Sequence, residues 1–352
     1  MPSVSANDLR EELKGYGVAP ENVHFFGQKS PRPELQDYLT LNALRQQNQP
    51  APDGVAVYQG RPVLYFIDEQ RLSHEATPSD GRLFPTGDDE PKELPVIFRQ
   101  LACRGERVYL ARIELGKLRV APVSPSDEKP NWTKYTPGSI EGKCLFSRLA
   151  FGMTDTEDFA AGDAVFDQLF KLLKHVANRI AKNKSLRPDA LSLVGRALFF
   201  RFLRDRGVLD GYSVKKIAPK AVNWTDCFAN AENASSTCQW LDRTFNDDFL
   251  PLNDNGSEVF FQKVSTLTRG EIFQHLTAVI RGHEPKGDTY QRLLQWGWSE
   301  FDFGHIPIGL LSQVYEAFSW EWTPKEAKKS SQHYTPRNIA VTLVDEVFAM
   351  AQ

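Results

Sequence analysis

The sequence predicts an α+β protein, with a small N-terminal α/β domain followed by a mainly α-helical one, and three observations predict it. Residues 1–124 alternate helix-period and strand-period segments in the order helix, hairpin, helix, hairpin. A polar stretch carrying Pro125, Pro130 and Pro137 comes next, and we read 125–139 as a linker. From about residue 140 the apolar residues recur at helical spacing, which places a helical domain over 140–327. The length of 352 residues and 41% hydrophobic content suffice for two or three cores.

Taken in order, the chain opens with an amphipathic helix over Ala6–Lys14, closed by Gly15 and Gly17. A second helix is expected from Pro33 to Gln47. Val55–Tyr58 and Val63–Ile67 are rich in β-branched and aromatic residues and flank a Gln59-Gly60-Arg61-Pro62 turn, so they read as paired strands. Residues 70–91 lack any period and read as a surface loop. A helix over Leu94–Cys103 precedes a second hairpin, Arg107–Ile113 and Leu118–Val123, turning at Gly116.

In the second half, Asp163 is a candidate cap for a helix whose Val165, Leu169, Leu172, Leu173, Val176 and Ile180 form one stripe, with Lys171, Lys174, Arg179 and Lys182 outside. Pro188 sits in the first turn of the next helix and Gly207 ends it. Its apolar face is Leu191, Val194, Leu198, Phe199, Phe202 and Leu203. A helix is expected around Ser236–Phe245, and Thr268 to Glu271 has capping-box spacing for one running through Ile272, Leu276 and Ile280 to Gly282. Pro307 opens a helix with Leu310, Leu311, Val314, Tyr315 and Phe318 on one side. Thr335 is a good N-cap and Pro336 suits the first position of a last helix.

Composition narrows the function classes. No apolar run approaches the roughly 18 residues that span a bilayer, and the first residues lack the basic and apolar parts of a signal peptide, so a cytoplasmic location without membrane partners is expected. Cys103, Cys144, Cys227 and Cys238 have neither disulfide-framework nor zinc spacing and read as buried thiols. Formal charge is only −3, yet residues 165–220 carry 13 Lys/Arg against 4 Asp/Glu. Lys182, Lys184, Arg196, Arg201, Arg204 and Arg206 are therefore candidate phosphate contacts to DNA, although an arginine in such a run also commonly forms a salt bridge or a solvated face.

Three segments carry a resemblance. Gln332-His333-Tyr334-Thr335-Pro336, after a Lys/Ser-rich run, resembles the Gly-x-Tyr-Tyr-Thr-Pro motif of adenine-N6 DNA methyltransferases of type I and fused type II restriction systems. Ser331 stands where that family usually has Gly, and His333 where the first Tyr is common. The helix ending Arg201-Phe202-Leu203-Arg204-Asp205-Arg206-Gly207 is similar to one upstream of the methylase core in fused restriction-methylases and phage-defence methylases. The run Phe301–Phe318, with Leu311-Ser312-Gln313-Val314-Tyr315-Glu316, resembles the acidic/aromatic turn, Ile-Pro and Leu-Ser/Gly-x-Ile-Tyr-Glu helix that precede Tyr-Thr-Pro in the same family.

The resemblance implies that Tyr334, Thr335 and Pro336 line an S-adenosylmethionine pocket, that DNA is the partner alongside other restriction or defence subunits, and that 328–352 begins a methyltransferase domain. The family's glycine-rich cofactor turn and Asn/Asp-Pro-Pro-Tyr/Phe motif are missing, which implies the N-terminal part of a longer enzyme, inactive alone, with the cofactor belonging to the parent. The N-terminal domain loosely resembles the sheet-and-helix core of restriction nucleases, whose active form needs an Asp and, one strand later, Glu-x-Lys to hold a metal. Asp53 suits the first position, but Asp68-Glu69-Gln70 has no suitably spaced Lys and Glu114 and Lys117 have other spacing, so a degenerate domain is expected. Two alternatives remain: a metal-dependent nuclease, or an adaptor that binds a defence partner through this domain.

Overall fold

The structure is a computed structural model that describes residues 6–29, 38–72, 91–114, 116–124, 130–152, 161–209, 213–245, 250–287, 289–291 and 302–322. Among these it holds 12 α-helices, a six-stranded mixed sheet and a small hairpin. The chain divides into two compact units, Met1–Val165 and Phe166–Gln352.

In the first unit, helix α1 (Ala6–Lys14) precedes strand β1 (Val23–Phe25), helix α2 (Leu39–Gln46), and the hairpin β2 (Gly54–Tyr58) and β3 (Arg61–Asp68). Helix α3 (Glu93–Cys103) crosses to β4 (Tyr109–Glu114), followed by β5 (Lys117–Pro122) and β6 (Thr133–Tyr135). The strands lie in sequence order; every pair is antiparallel except β3 and β4, which the α3 crossover makes parallel. Because side chains alternate along a strand, Leu64, Phe66, Tyr109, Ala111 and Ile113 share one face, where they meet Leu9 and Leu13 of α1. Tyr65 points to the opposite face, in edge contact with Tyr38, and its hydroxyl donates to Glu106 at 3.0 Å. Arg104 closes that face with bonds of 2.7 and 2.9 Å to the same carboxylate.

The unit continues past the point where the sequence places the end of the first domain. Strand β6 lies inside the segment read as a linker, pairing Leu118 with Tyr135. Beyond it, α4 (Ile140–Lys143) and α5 (Leu145–Ala150) return to the first core, into which Leu145, Phe146 and Leu149 are inserted. Gly17 permits the approach: its φ is +84°, and a Cβ there would lie 2.4 Å from the carbonyl oxygen of Lys143. Each buried Leu or Phe contributes about 1.5–3 kcal/mol, so these three outweigh the polar character that suggested a linker.

The second unit takes in most of α6 (Ala161–Ala181), then α7 (Ala190–Asp205), α8 (Val214–Ile217), α9 (Ala231–Phe245), α10 (Glu258–Thr268) and α11 (Glu271–Arg281). A short hairpin, β7 (Glu284–Lys286) and β8 (Thr289–Gln291), and α12 (Ile308–Trp322) complete it. Helix α7 packs against α11 and α12, and α9 against α10. Asp163 falls inside α6 rather than at its cap. Thr268 is the last residue of α10, where its hydroxyl donates to the Val264 carbonyl at 2.8 Å, so the expected capping box does not form and Gly270 is the N-cap of α11. The sequence reading places no helix over 258–268; Ser257 starts one by accepting from the amide of Phe260. No helix among the described residues is long and apolar enough to cross a membrane.

Candidate nucleic-acid interface

The run of positive charge separates into two populations. Helix α7 is buried nearly all round: besides Leu193, Val194, Ala197, Leu198, Phe200 and Leu203, the side chains of Arg196 and Arg201 are only 1% and 3% exposed. Arg196 donates from Nε to the Leu250 carbonyl at 2.8 Å and from Nη1 to that of Cys238 at 3.3 Å, and makes an ionic contact of 2.6 Å with Asp242. Arg201 pairs with Asp205 at 2.6 Å, donates to the Ile280 carbonyl, and lies over the Phe303 ring with its guanidinium carbon 5.5 Å from the centroid. Arg196 and Arg201 therefore do not face solvent as phosphate contacts would; both are internal struts.

Asp205 and Arg206 extend this strut into the segment after residue 301. The Asp205 carboxylate accepts from the amide of Phe303 at 3.1 Å, and Arg206 donates from Nη2 to the Ile306 carbonyl at 2.7 Å. Burial pushes the Asp205 carboxyl above its usual range despite the opposing pull of Arg201. Gly304 makes the closest approach, since a Cβ there would lie 2.6 Å from the Asp205 carbonyl oxygen. Gly195 does the same for α12: a Cβ would meet Tyr315 Cε2 at 3.0 Å. Two segments that the sequence analysis treats separately are thus one polar latch, spanning about a hundred residues.

The second population is exposed. Lys182, Lys184 and Arg187 follow the end of α6 and face solvent, and no ion pair among the described residues engages them. Arg204 is intermediate, with a 3.3 Å contact to Asp205 and a side chain 36% exposed. Of the six predicted DNA contacts, Lys182, Lys184 and Arg204 are thus available to a phosphate, Arg206 is half-buried with its guanidinium held by Ile306, and Arg196 and Arg201 are enclosed.

Next to Lys182 the surface is concave. A cleft of about 410 Å³ is lined by Arg179, Lys182, Thr268, Arg269 and His275 among others. His275 accepts or donates at Nδ1 with the Tyr290 hydroxyl 2.8 Å away. Burial, then the charges of Arg179, His175 and Lys182, lowers its pKa to about 4, so the ring is neutral at pH 7. Burial likewise raises the Tyr290 hydroxyl well above its usual range, so it stays protonated at pH 7. Sequence reasoning missed His275 because a lone His on an apolar helix face carries no signal; only the fold gives it Tyr290 and the cationic cleft.

In the first unit, Asp53 precedes β2 and sits beside the end of β3, where its Oδ2 accepts from the Asp68 amide at 2.8 Å. Its Oδ1 is bound by Arg45, 3.1 Å away, and by Arg71. Burial raises the pKa of the neighbouring Asp68 carboxyl. Glu114 and Lys117 form a hairpin ion pair. Among the described residues no group of three or more His, Cys, Asp or Glu is arranged to hold a metal ion. Three of the four cysteines are buried, and burial pushes Cys227 and Cys238 up to about 12; Cys144 is exposed, contrary to expectation, because it occupies the junction of α4 and α5. Tyr334, Thr335 and Pro336, with the helix expected after them, lie outside the described residues.

The fold and this surface define a two-unit protein with a mixed-sheet unit, a helical unit and a cationic cleft. No protein family, no curated protein and no solved structure matches the chain.

Proposed function

We propose that this chain is the DNA-recognition and scaffold portion of an S-adenosylmethionine-dependent, adenine-specific DNA methyltransferase from a restriction or phage-defence system, working in the cytoplasm. The observation that carries the reading is the latch: Asp205 and Arg206, from one segment resembling the methylases, bond to Phe303 and Ile306 of another. Segments that belong together in a family's architecture are expected to meet, and here they do so through part-buried polar bonds rather than generic apolar contact. In this reading the methylase-like residues of α7 hold the scaffold rigid, Lys182, Lys184 and Arg204 face the DNA backbone, and Tyr334–Pro336 serve the cofactor in the parent enzyme.

Binding should be salt-sensitive and weakly selective for sequence, because phosphate contacts position a protein on DNA without reading bases. The test is fluorescence anisotropy with a 30-bp duplex across a salt series. Lys182→Glu/Lys184→Glu should weaken binding and flatten the log–log salt slope by about 2, since each lost phosphate contact removes roughly 0.9. An unchanged affinity and slope would reject this placement.

One observation keeps a nuclease reading in view: β1, β2 and β3 form an antiparallel run, α3 crosses to the parallel β4, and Asp53 and Asp68 meet at one strand end. The two arginines on Asp53 favour a degenerate version, in which an ion-pair corner occupies the place of a metal. Magnesium-dependent cleavage of duplex DNA that disappears with Asp53→Ala would reverse that preference. The adaptor alternative predicts instead that a defence partner is retained by residues 1–165, which form a unit, with no contribution from Lys182 or Lys184.

A further inference from the structure

We infer that the cleft between the end of α6 and the α10–α11 junction is a binding site for the phosphate of a nucleotide, whether free or as one unit of a nucleic acid strand. Its volume of about 410 Å³ lies within the ~300–1,000 Å³ usual for small-molecule sites. The charged lining is Arg179, Lys182 and Arg269 against one carboxylate, Glu271. Lys182 and Arg269 make no ion pair among the described residues, so their charge is directed at solvent and at whatever enters. Leu267, 43% exposed, supplies an apolar surface of the kind a sugar or base rests on, over the buried Ile180 and Ile272.

Two further features favour an anion. Helix α11 is 11 residues long and begins at this cleft with Gly270 as N-cap, so no side chain satisfies its first amides. His275 lines the same cleft and is neutral at pH 7, with Nδ1 in a 2.8 Å hydrogen bond to the Tyr290 hydroxyl, so it adds a polar group to the wall without adding charge. Arg269 occupies the left-handed region at φ +51°, where glycine is the usual residue.

The site shares Lys182 with the DNA reading and rests on it only for the nucleic-acid source. The experiment is calorimetric titration of the full chain with inorganic pyrophosphate, a nucleoside triphosphate and a single-stranded 12-mer, using wild type and Lys182→Glu/Arg269→Gly. Glycine suits the backbone at 269, so the thermal midpoint reports that the variant is folded. Expected are saturable binding of pyrophosphate or the triphosphate, at least ~10-fold weaker in the variant given the loss of two charged donors, and no change in Lys171→Glu, which is exposed but outside the cleft. Binding of the 12-mer alone, lost in the variant, assigns the phosphate to a strand. Pyrophosphate binding here, with no binding of the 30-bp duplex by anisotropy, would sink the DNA reading and keep the cleft. Absence of binding by all three ligands, or equal binding by the folded variant, overturns the inference.

Discussion

Replacing Arg196 by Met separates a strut from a DNA contact. The thioether chain has similar length but removes the donors to Leu250 and Cys238 and the charge opposite Asp242. Breaking one side of a buried ion pair costs about 3–5 kcal/mol, because the remaining charge is left without compensation. Asp242 retains 14% side-chain exposure, so some water reaches it and the lower end, about 3 kcal/mol, is expected. Against a total stability of about 5–15 kcal/mol that is a large share. Six of the seven tryptophans follow residue 166, so fluorescence-monitored urea unfolding reports chiefly on the helical unit. With a urea slope of about 1–3 kcal/mol per M, the midpoint should fall by at least ~1 M. Arg196→Met/Asp242→Leu should lose less than the sum of the two single variants by at least ~1 kcal/mol, since the double change leaves no orphaned charge. A midpoint within ~0.2 M of wild type, combined with weakened DNA binding, would refute the assignment and return Arg196 to the surface set.

Gly304→Ala should destabilise the helical unit by about 1–3 kcal/mol in the same urea assay, because its Cβ would press on the Asp205 carbonyl and strain the latch; a neutral result would mean the approach relaxes freely. His275, whose pKa is lowered to about 4 from 6.5, contributes stability that is fully present above pH 6.5 and is lost as pH falls toward 4, since the unfolded chain binds the proton first. The thermal midpoint should therefore drop across that window, by the equivalent of roughly 3 kcal/mol, and His275→Gln should flatten the drop; equal slopes in both proteins would exclude His275 as the cause. Asp53→Asn should destabilise the first unit by about 1–3 kcal/mol, having removed charge opposite Arg45 and Arg71. Magnesium should leave the wild-type thermal midpoint unchanged; a rise abolished by the same substitution would show a metal at that corner instead.

The two hairpins and helices α1 and α3 of the first unit were legible because each is declared locally, whereas the three-residue strands β1 and β6 were not. The β-branched and aromatic runs of Val63–Ile67 and Arg107–Ile113, turn residues at Gln59-Gly60, and glycines after α1 all act within a few residues, and the observed bounds of α1, Ala6–Lys14, agree with the expected ones. The extension to Val165 was not legible, because α5 is six residues long and its value lies in a distant sheet. A short apolar run after a proline-rich stretch looks the same whether it turns forward or back. Helix α10 was hidden for a related reason: Phe260, Phe261 and Val264 are only three core contacts, and the capping-box spacing at Thr268 pointed to the wrong boundary.

The candidate site shows the same limit from the side of chemistry. Counting charge over 165–220 identified a cationic region correctly but could not say which cations face outward, since Arg196 and Arg201 share their helix with Arg204 and have the same residue type. What divides them is the presence of carbonyls at Leu250, Cys238 and Ile280, which are brought to α7 only by tertiary folding. Arginine suits both roles because its planar fork satisfies backbone oxygens and carboxylates inside a protein as well as phosphates outside it. Lysine suits the first role poorly: its compact, strongly hydrated charge resists burial. Lys182 and Lys184 were accordingly the predictions least exposed to this ambiguity, and both face solvent. In a mixed run of Lys and Arg beside an apolar helix face, the lysines mark the surface, whereas each arginine needs its acceptors located before it is assigned to a ligand.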